Sequence, residues 1–196
     1  MRPETLIGLF AGVLFLCGCG LFDTRGPEDP VQPSANFTPP TEPSLVFSNM
    51  SNAFNDLSSL NYGKSFSDSV TAGRSFVFEP TAQAASKYSG VFLSWSRQAE
   101  VRYFDNLKSQ LQSSAVPSLT LSFTSQSVGS DSAQFEATYQ LTVPHLKPNV
   151  AQTAQGRAQF YLRKDNVQNW VIWRWVDLAI QPGDFTWSDL KGEFGQ

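Results

Sequence analysis

The chain is poor in the residues that build reactive centres. Its 196 positions hold two cysteines, Cys17 and Cys19, and one histidine, His145. Both cysteines fall among the first twenty residues, so everything after them has no thiol for a disulfide or a metal–thiolate site. His145 stands between Pro144 and Pro148, in what reads as a solvent-exposed hairpin loop. With no cysteine or second histidine to join it, zinc is unsupported and no metal or cofactor is expected. No Gly-x-Ser-x-Gly elbow, P-loop or Gly-x-Gly-x-x-Gly turn occurs. Charge is sparse, 16% of residues, and its balance of −3 offers nucleic acid no general attraction. A long hydrophobic run is missing too. The uncharged stretch 6–16, "LIGLFAGVLFL", would rise only about 17 Å as a helix, against a bilayer core of roughly 30 Å.

That short run fits the apolar region of an export signal. It is followed by "CGCG", and Leu16-Cys17-Gly18-Cys19 resembles the bacterial lipobox, with a branched apolar residue three before the cysteine and a small one directly before it. Residues 1–18 are therefore read as a lipoprotein signal peptide, and Cys19 as the lipidated mature N-terminus. Cys17 fits less well, because bulky Leu16 precedes it. Several acyl chains on one cysteine anchor stably, since each buried methylene contributes about 0.8 kcal/mol. Gly20, where enterobacterial lipoproteins retained at the inner membrane carry aspartate, points to the outer membrane, facing the periplasm. Residues 19–42 read as a disordered, proline-rich tether. The stretch 20–43 holds six of the chain's twelve prolines, which remove backbone donors and favour an extended chain reaching about 70 Å. The folded domain is expected over 43–196.

Within it, "SLVFSNMSNAFNDLSSL" (44–60) predicts a helix burying Val46 or Phe47, Met50, Phe54, Leu57 and Leu60. A short strand follows at 74–80, with Phe76 and Phe78 on one face. A second helix spans 94–112, capped by Ser94 or Ser96, with Glu100, Phe104, Leu107 and Leu111 on one side. The period then becomes two. Strands are predicted at 118–126, 133–143, 156–164 and 169–180, joined by turn-rich pieces short enough for an antiparallel meander. Segregated helices beside one antiparallel sheet make an α+β domain, with the helices covering a strongly curved sheet.

The segments "PSLVFSNMSNAFN", "FVFEPTA", "WSRQAEVRYFDNL", "ATYQL", "GRAQFYLRK" and "TWSDLKGEF" (186–194) together resemble one group within the NTF2-like superfamily: exported bacterial lipoproteins and secreted proteins of unassigned function. The resemblance covers about residues 43–194. It implies a conical α+β domain whose bent sheet encloses either a pocket or a plugged core. It does not imply a chemistry, because the superfamily holds isomerases, dehydratases, hydrolases, transport factors and modules without any reaction. Its isomerases use an aspartate base facing a tyrosine and a protonated carboxylic acid. Asp177, Glu100, Tyr139 and Tyr161 are the residues here that could lie near such a cavity, but no residue-by-residue match to that set can be drawn.

The candidate pocket or core therefore comprises Phe76, Phe78, Glu100, Phe104, Tyr139, Trp170, Trp175 and Asp177. A buried Glu100 needs a partner, expected to be Arg157 or Arg174 across the core. In "NWVIWRWVDLAI" (169–180), regular alternation would set an arginine among apolar residues and an aspartate among tryptophans. A bulge near 173–175 resolves this by turning Trp170, Ile172 and Trp175 inward and Trp173 and Arg174 outward. The polar side of the strands, with Gln140, Arg157, Tyr161, Arg163, Trp173 and Arg174, is the candidate contact face, since tryptophan and arginine are enriched where interfaces gain most affinity. The expected partners are the membrane through the lipid anchor, a second copy or an envelope protein through the sheet face, or a hydrophobic small molecule in the cone. A lipid-handling chaperone is the alternative, and an isomerase or dehydratase the less favoured one.

Overall fold

A computed structural model describes residues 36–196, so the signal peptide, Cys19 and most of the tether lie outside the described residues. The described residues fall in one compact unit. Six helices and five strands follow in order: α1 Pro43–Asn55, α2 Ser59–Lys64, α3 Ser69–Ala72, β1 Val77–Glu79, α4 Ala82–Lys87, α5 Arg97–Ser109, β2 Ser118–Val128, β3 Ser132–Thr142, β4 Thr153–Lys164, β5 Trp170–Leu178 and α6 Trp187–Phe194. The sheet order is β1-β5-β4-β3-β2, with β1 parallel to β5 and every other pair antiparallel.

Alternation decides which face each strand buries. Ala133, Phe135, Ala137, Tyr139 and Leu141 of β3, and Ala154, Ala158, Phe160 and Leu162 of β4, all point into the core. Two bulges bend the curved sheet. One follows Phe123 in β2. The other lies where Tyr161 faces Arg174 and Leu162 faces Ile172, which leaves Trp173 as the extra residue of β5.

The structure differs from the sequence reading at two boundaries. Residues 36–42, placed in the tether by their prolines, pack on the domain. Asn49 exchanges two hydrogen bonds with the backbone of Thr38, at 3.0 and 2.7 Å, and the Pro40 carbonyl accepts from the Trp170 amide at 2.8 Å. Proline lacks a donor, but its carbonyl is free to pair. The helix expected over 44–60 is broken at Asp56–Leu57, where Leu57 takes a left-handed conformation (φ 52°). Ser58 then caps α2 by accepting from the Asn61 amide, and Leu60 faces solvent, 55% exposed.

Candidate functional site

The helix-covered interior of the sheet, where a pocket would lie, is filled with aromatic rings. Trp175, Trp187, Tyr62, Tyr103, Phe104 and Phe160 have no accessible surface, so no water-sized space adjoins them. Ring contacts run continuously through them: Tyr62 stacks on Phe104 at 4.5 Å, and Trp175 meets Trp187 edge-to-face at 4.5 Å. All eight residues of the candidate pocket or core set (Phe76, Phe78, Glu100, Phe104, Tyr139, Trp170, Trp175 and Asp177) are buried there.

The plug is α6. Thr186 and Asp189 close its first turn as a capping box, and the helix carries Trp187, Ser188, Leu190 and Lys191 into the interior. Lys191 is completely buried and forms an ion pair with Glu100 of α5. Its Nζ lies 3.5 Å from the ring centre of Phe78 and 3.6 Å from that of Trp175, so two ring faces and a carboxylate replace its water. Glu100 also accepts from Tyr62 Oη at 3.0 Å and from Trp95 Nε1 at 2.8 Å. Burial lowers Lys191 to about 8, against the pull of Glu100 upward.

Beside this pair lies a second buried carboxylate. Asp177 of β5 accepts from Tyr139 Oη at 2.7 Å and from Ser188, through its amide at 2.7 Å and its hydroxyl at 2.5 Å. Burial raises the Asp177 carboxyl above its ordinary value, while the Ser188 and Tyr139 donors pull it down. Tyr139 Oη in turn accepts from the Trp187 amide at 2.8 Å. Its hydroxyl has room because residue 156, its cross-strand partner, is glycine: a Cβ there would stand 2.4 Å from Tyr139 Oη and 2.8 Å from the Leu178 carbonyl. Burial holds Tyr62, Tyr103 and Tyr139 well above the ordinary phenol range. An aspartate, a glutamate and tyrosines do converge, and they do so on the chain's own α6.

Glu100 is therefore paired, though with neither arginine expected from the sequence. Arg157 occupies an outward position of β4 and is exposed. Arg174 is clamped outside by Glu79, through bonds of 2.6 and 3.0 Å. Strand parity sends Arg157 away from the core and the bulge at Trp173 turns Arg174 outward, and the partner comes from a tail helix whose lysine reads, by position alone, as a solvated last-turn cation. His145 is also corrected. It is 2% exposed, with Nε2 3.2 Å from the Ala151 carbonyl and its ring 5.1 Å from that of Phe194. Its loop folds beneath the end of α6 and bridges to Leu111, so the flanking prolines mark a packed turn. Among the described residues no three His, Cys, Asp or Glu side chains gather around a point that could hold a metal, and no helix is long and apolar enough to cross a membrane.

The outer face of the sheet is different in kind. Arg74 lies over the Trp173 ring at 4.2 Å, Trp173 meets Tyr161 at 6.0 Å, and the Arg174 guanidinium covers Tyr161 at 4.8 Å. Gln140 and Arg157 are exposed; Tyr161, Arg163, Trp173 and Arg174 are partly so. Gln159 bonds Glu136 across the strands at 2.9 Å. Among the described residues Arg163 Nε, which is buried, has no partner. Arg74 and Glu79, which complete this row, carried no signal in the sequence: the first opens the strand expected at 74–80 but lies ahead of β1, and the second reads as a strand's polar side.

No family model matches the chain, and no curated protein matches it. Solved structures do. A provisionally named aromatic ring hydroxylase from Novosphingobium aromaticivorans superposes with a TM-score of 0.51 and 16% identity, covering 74% of this chain and 91% of its own. A conserved protein from Planctomyces limnophilus reaches 0.53 at 10% identity, over 68% and 89%. A nuclear transport factor 2 (NTF2-like) superfamily protein from Salmonella enterica reaches 0.50 at 13%, over 70% and 89%. Identities this low speak for the backbone and not for the chemistry. Together with the element order and the bent sheet, they show that this chain has the NTF2-like α+β fold.

Proposed function

We propose that this protein is a lipid-anchored module of the bacterial envelope that binds another protein through the outer face of its sheet and catalyses no reaction. The observation that carries the reading is the plugged interior. A substrate or an acyl chain would have to displace α6 and leave Glu100 buried without its cation, and losing one member of a buried pair costs about 3–5 kcal/mol. The carboxylates, the lysine and the tyrosine hydroxyls of the interior are committed to one another, whereas Trp175 Nε1 has no partner among the described residues. The outer face offers what protein interfaces use: tryptophan, tyrosine and arginine amid a lawn of glutamine, serine and threonine.

Charge favours a different protein over a second copy on this face. Arg74, Arg157, Arg163 and Arg174 outnumber Glu79 and Glu136, so two such faces would meet with like charges opposed. Lipidation of Cys19 would hold the domain at the outer membrane, facing the periplasm. A photo-crosslinking residue placed at Gln140 or Arg157 in cells should give one discrete adduct, lost when Trp173 is changed to alanine. The same residue at Lys108, on the helix side, should give none. Adducts from Lys108 alone would refute the reading.

A further inference from the structure

The last strand of the sheet is unguarded. Among the described residues β2 has β3 as its only neighbour, so its other edge is free. Exposed edges in soluble proteins are usually short, charged, proline-bearing or covered. The opposite edge obeys this rule: β1 is three residues long and ends at Glu79. β2 does not. Its eleven residues, "SLTLSFTSQSV", contain no charge, proline or glycine, and most are exposed. Beside it, on the helix side, lies a groove of about 550 Å³ between α1 and β2. Phe47, Leu119, Leu121 and Phe123 line it, with Ser48 and Asn52 of α1 along the rim. Phe123 is 45% exposed although it belongs to the inward-facing row.

We propose that β2 pairs antiparallel with β2 of a second copy, about a two-fold axis at Leu121. The occupant follows from the strand's own pattern. In that register Leu119 lies opposite the partner's Phe123 and Leu121 opposite the partner's Leu121, closing the groove with apolar pairs. On the other face Thr120 lies opposite the partner's Ser122, hydroxyl to hydroxyl. The alternation is self-complementary on both faces, and an uncharged strand does not repel its copy although the chain as a whole carries −3. The pairing stops at the bulge after Phe123, where the inward row is lost. This goes beyond the binding role above: the two sheets become continuous and both outer faces stay free for a partner.

The chain from Pro33 has no cysteine, so Leu121→Cys introduces a single thiol at the proposed axis. Opposed residues of an antiparallel pair lie within disulfide range, so mild oxidation should link this variant at least about tenfold faster than Val128→Cys. Residues 33–196 should sediment as a dimer at about 100 µM, and the double change Thr120→Lys with Ser122→Lys, both on the exposed face, should give a folded monomer. A monomeric parent chain would overturn the proposal, as would equal linking of the two thiol variants. So would a dimer that survives the lysines but is lost with Arg174→Glu, which would place the contact on the sheet face.

Discussion

At the scale of single residues, Lys191 decides what the interior is. A lysine with no accessible surface is tolerated because Glu100 neutralises it and Phe78 and Trp175 cover it. Changing Lys191 to alanine should destabilise the fold by about 3–5 kcal/mol, because Glu100 then keeps an uncompensated buried charge. Pairing that change with Glu100→Gln should recover much of the loss in urea unfolding. The pH dependence follows from the lowered Lys191 value, about 8 when folded against 10.5 ordinarily. Between these values the unfolded chain binds the extra proton, so stability should rise with pH from about 8 to 9, before ionisation of the buried tyrosines in the unfolded chain, near their ordinary value of 10, opposes it. Lys191→Met should flatten that rise, and a fall in stability over the same window would contradict the burial. Gly156→Ala should cost about 1–3 kcal/mol by driving a methyl into Tyr139 and the Leu178 carbonyl, seen as a lower Tm with unchanged secondary structure. Much of this site was legible residue by residue: burial of Glu100 followed from its sharing a helix face with Phe104. Its partner did not, because nothing local marks a last-turn lysine as buried. His145 was misjudged for a related reason, since proline-rich turns report backbone shape and not what packs over them.

At the scale of elements, β3 and β4 were readable from their alternation, because each has one apolar and one polar side. β5 was readable only through its conflict: an arginine and an aspartate on the wrong sides of a regular strand require a bulge, and the bulge leaves Trp173 as the odd residue. The break in the first helix was hidden, because Leu57 and Leu60 continue the apolar spacing while the backbone turns at Leu57. α6 is the element on which the account depends most. Its capping box holds the helix that delivers Lys191, Trp187 and Ser188, so Thr186→Ala should lower stability by about 0.5–2 kcal/mol. Hydrogen exchange should locate the loss in residues 186–194, and an even loss across the sheet would mean that α6 is not a separately held plug.

At the scale of the whole molecule, a proposed lipid anchor is joined to a sealed domain. The anchor is an expectation drawn from the composition of the first twenty residues, which lie outside the described residues. Whether the cone was open or filled was not legible, because Phe76, Phe78, Tyr139 and Trp175 would read the same lining a cavity or packing it. Only the insertion of α6, a contact distant in sequence, separates the two. Cys19→Ser should move the protein from the membrane to the soluble periplasmic fraction and abolish incorporation of labelled palmitate, while Cys17→Ser should leave both unchanged; the reverse pattern would transfer the anchor to Cys17. The claim that the interior is plugged, and that the protein therefore works from its surface, is tested most directly by native mass spectrometry of residues 33–196 purified from a bacterial periplasm. The account predicts the mass of the polypeptide alone, as monomer or dimer, before and after denaturation. A small molecule that stays bound through purification and is released on unfolding would contradict it.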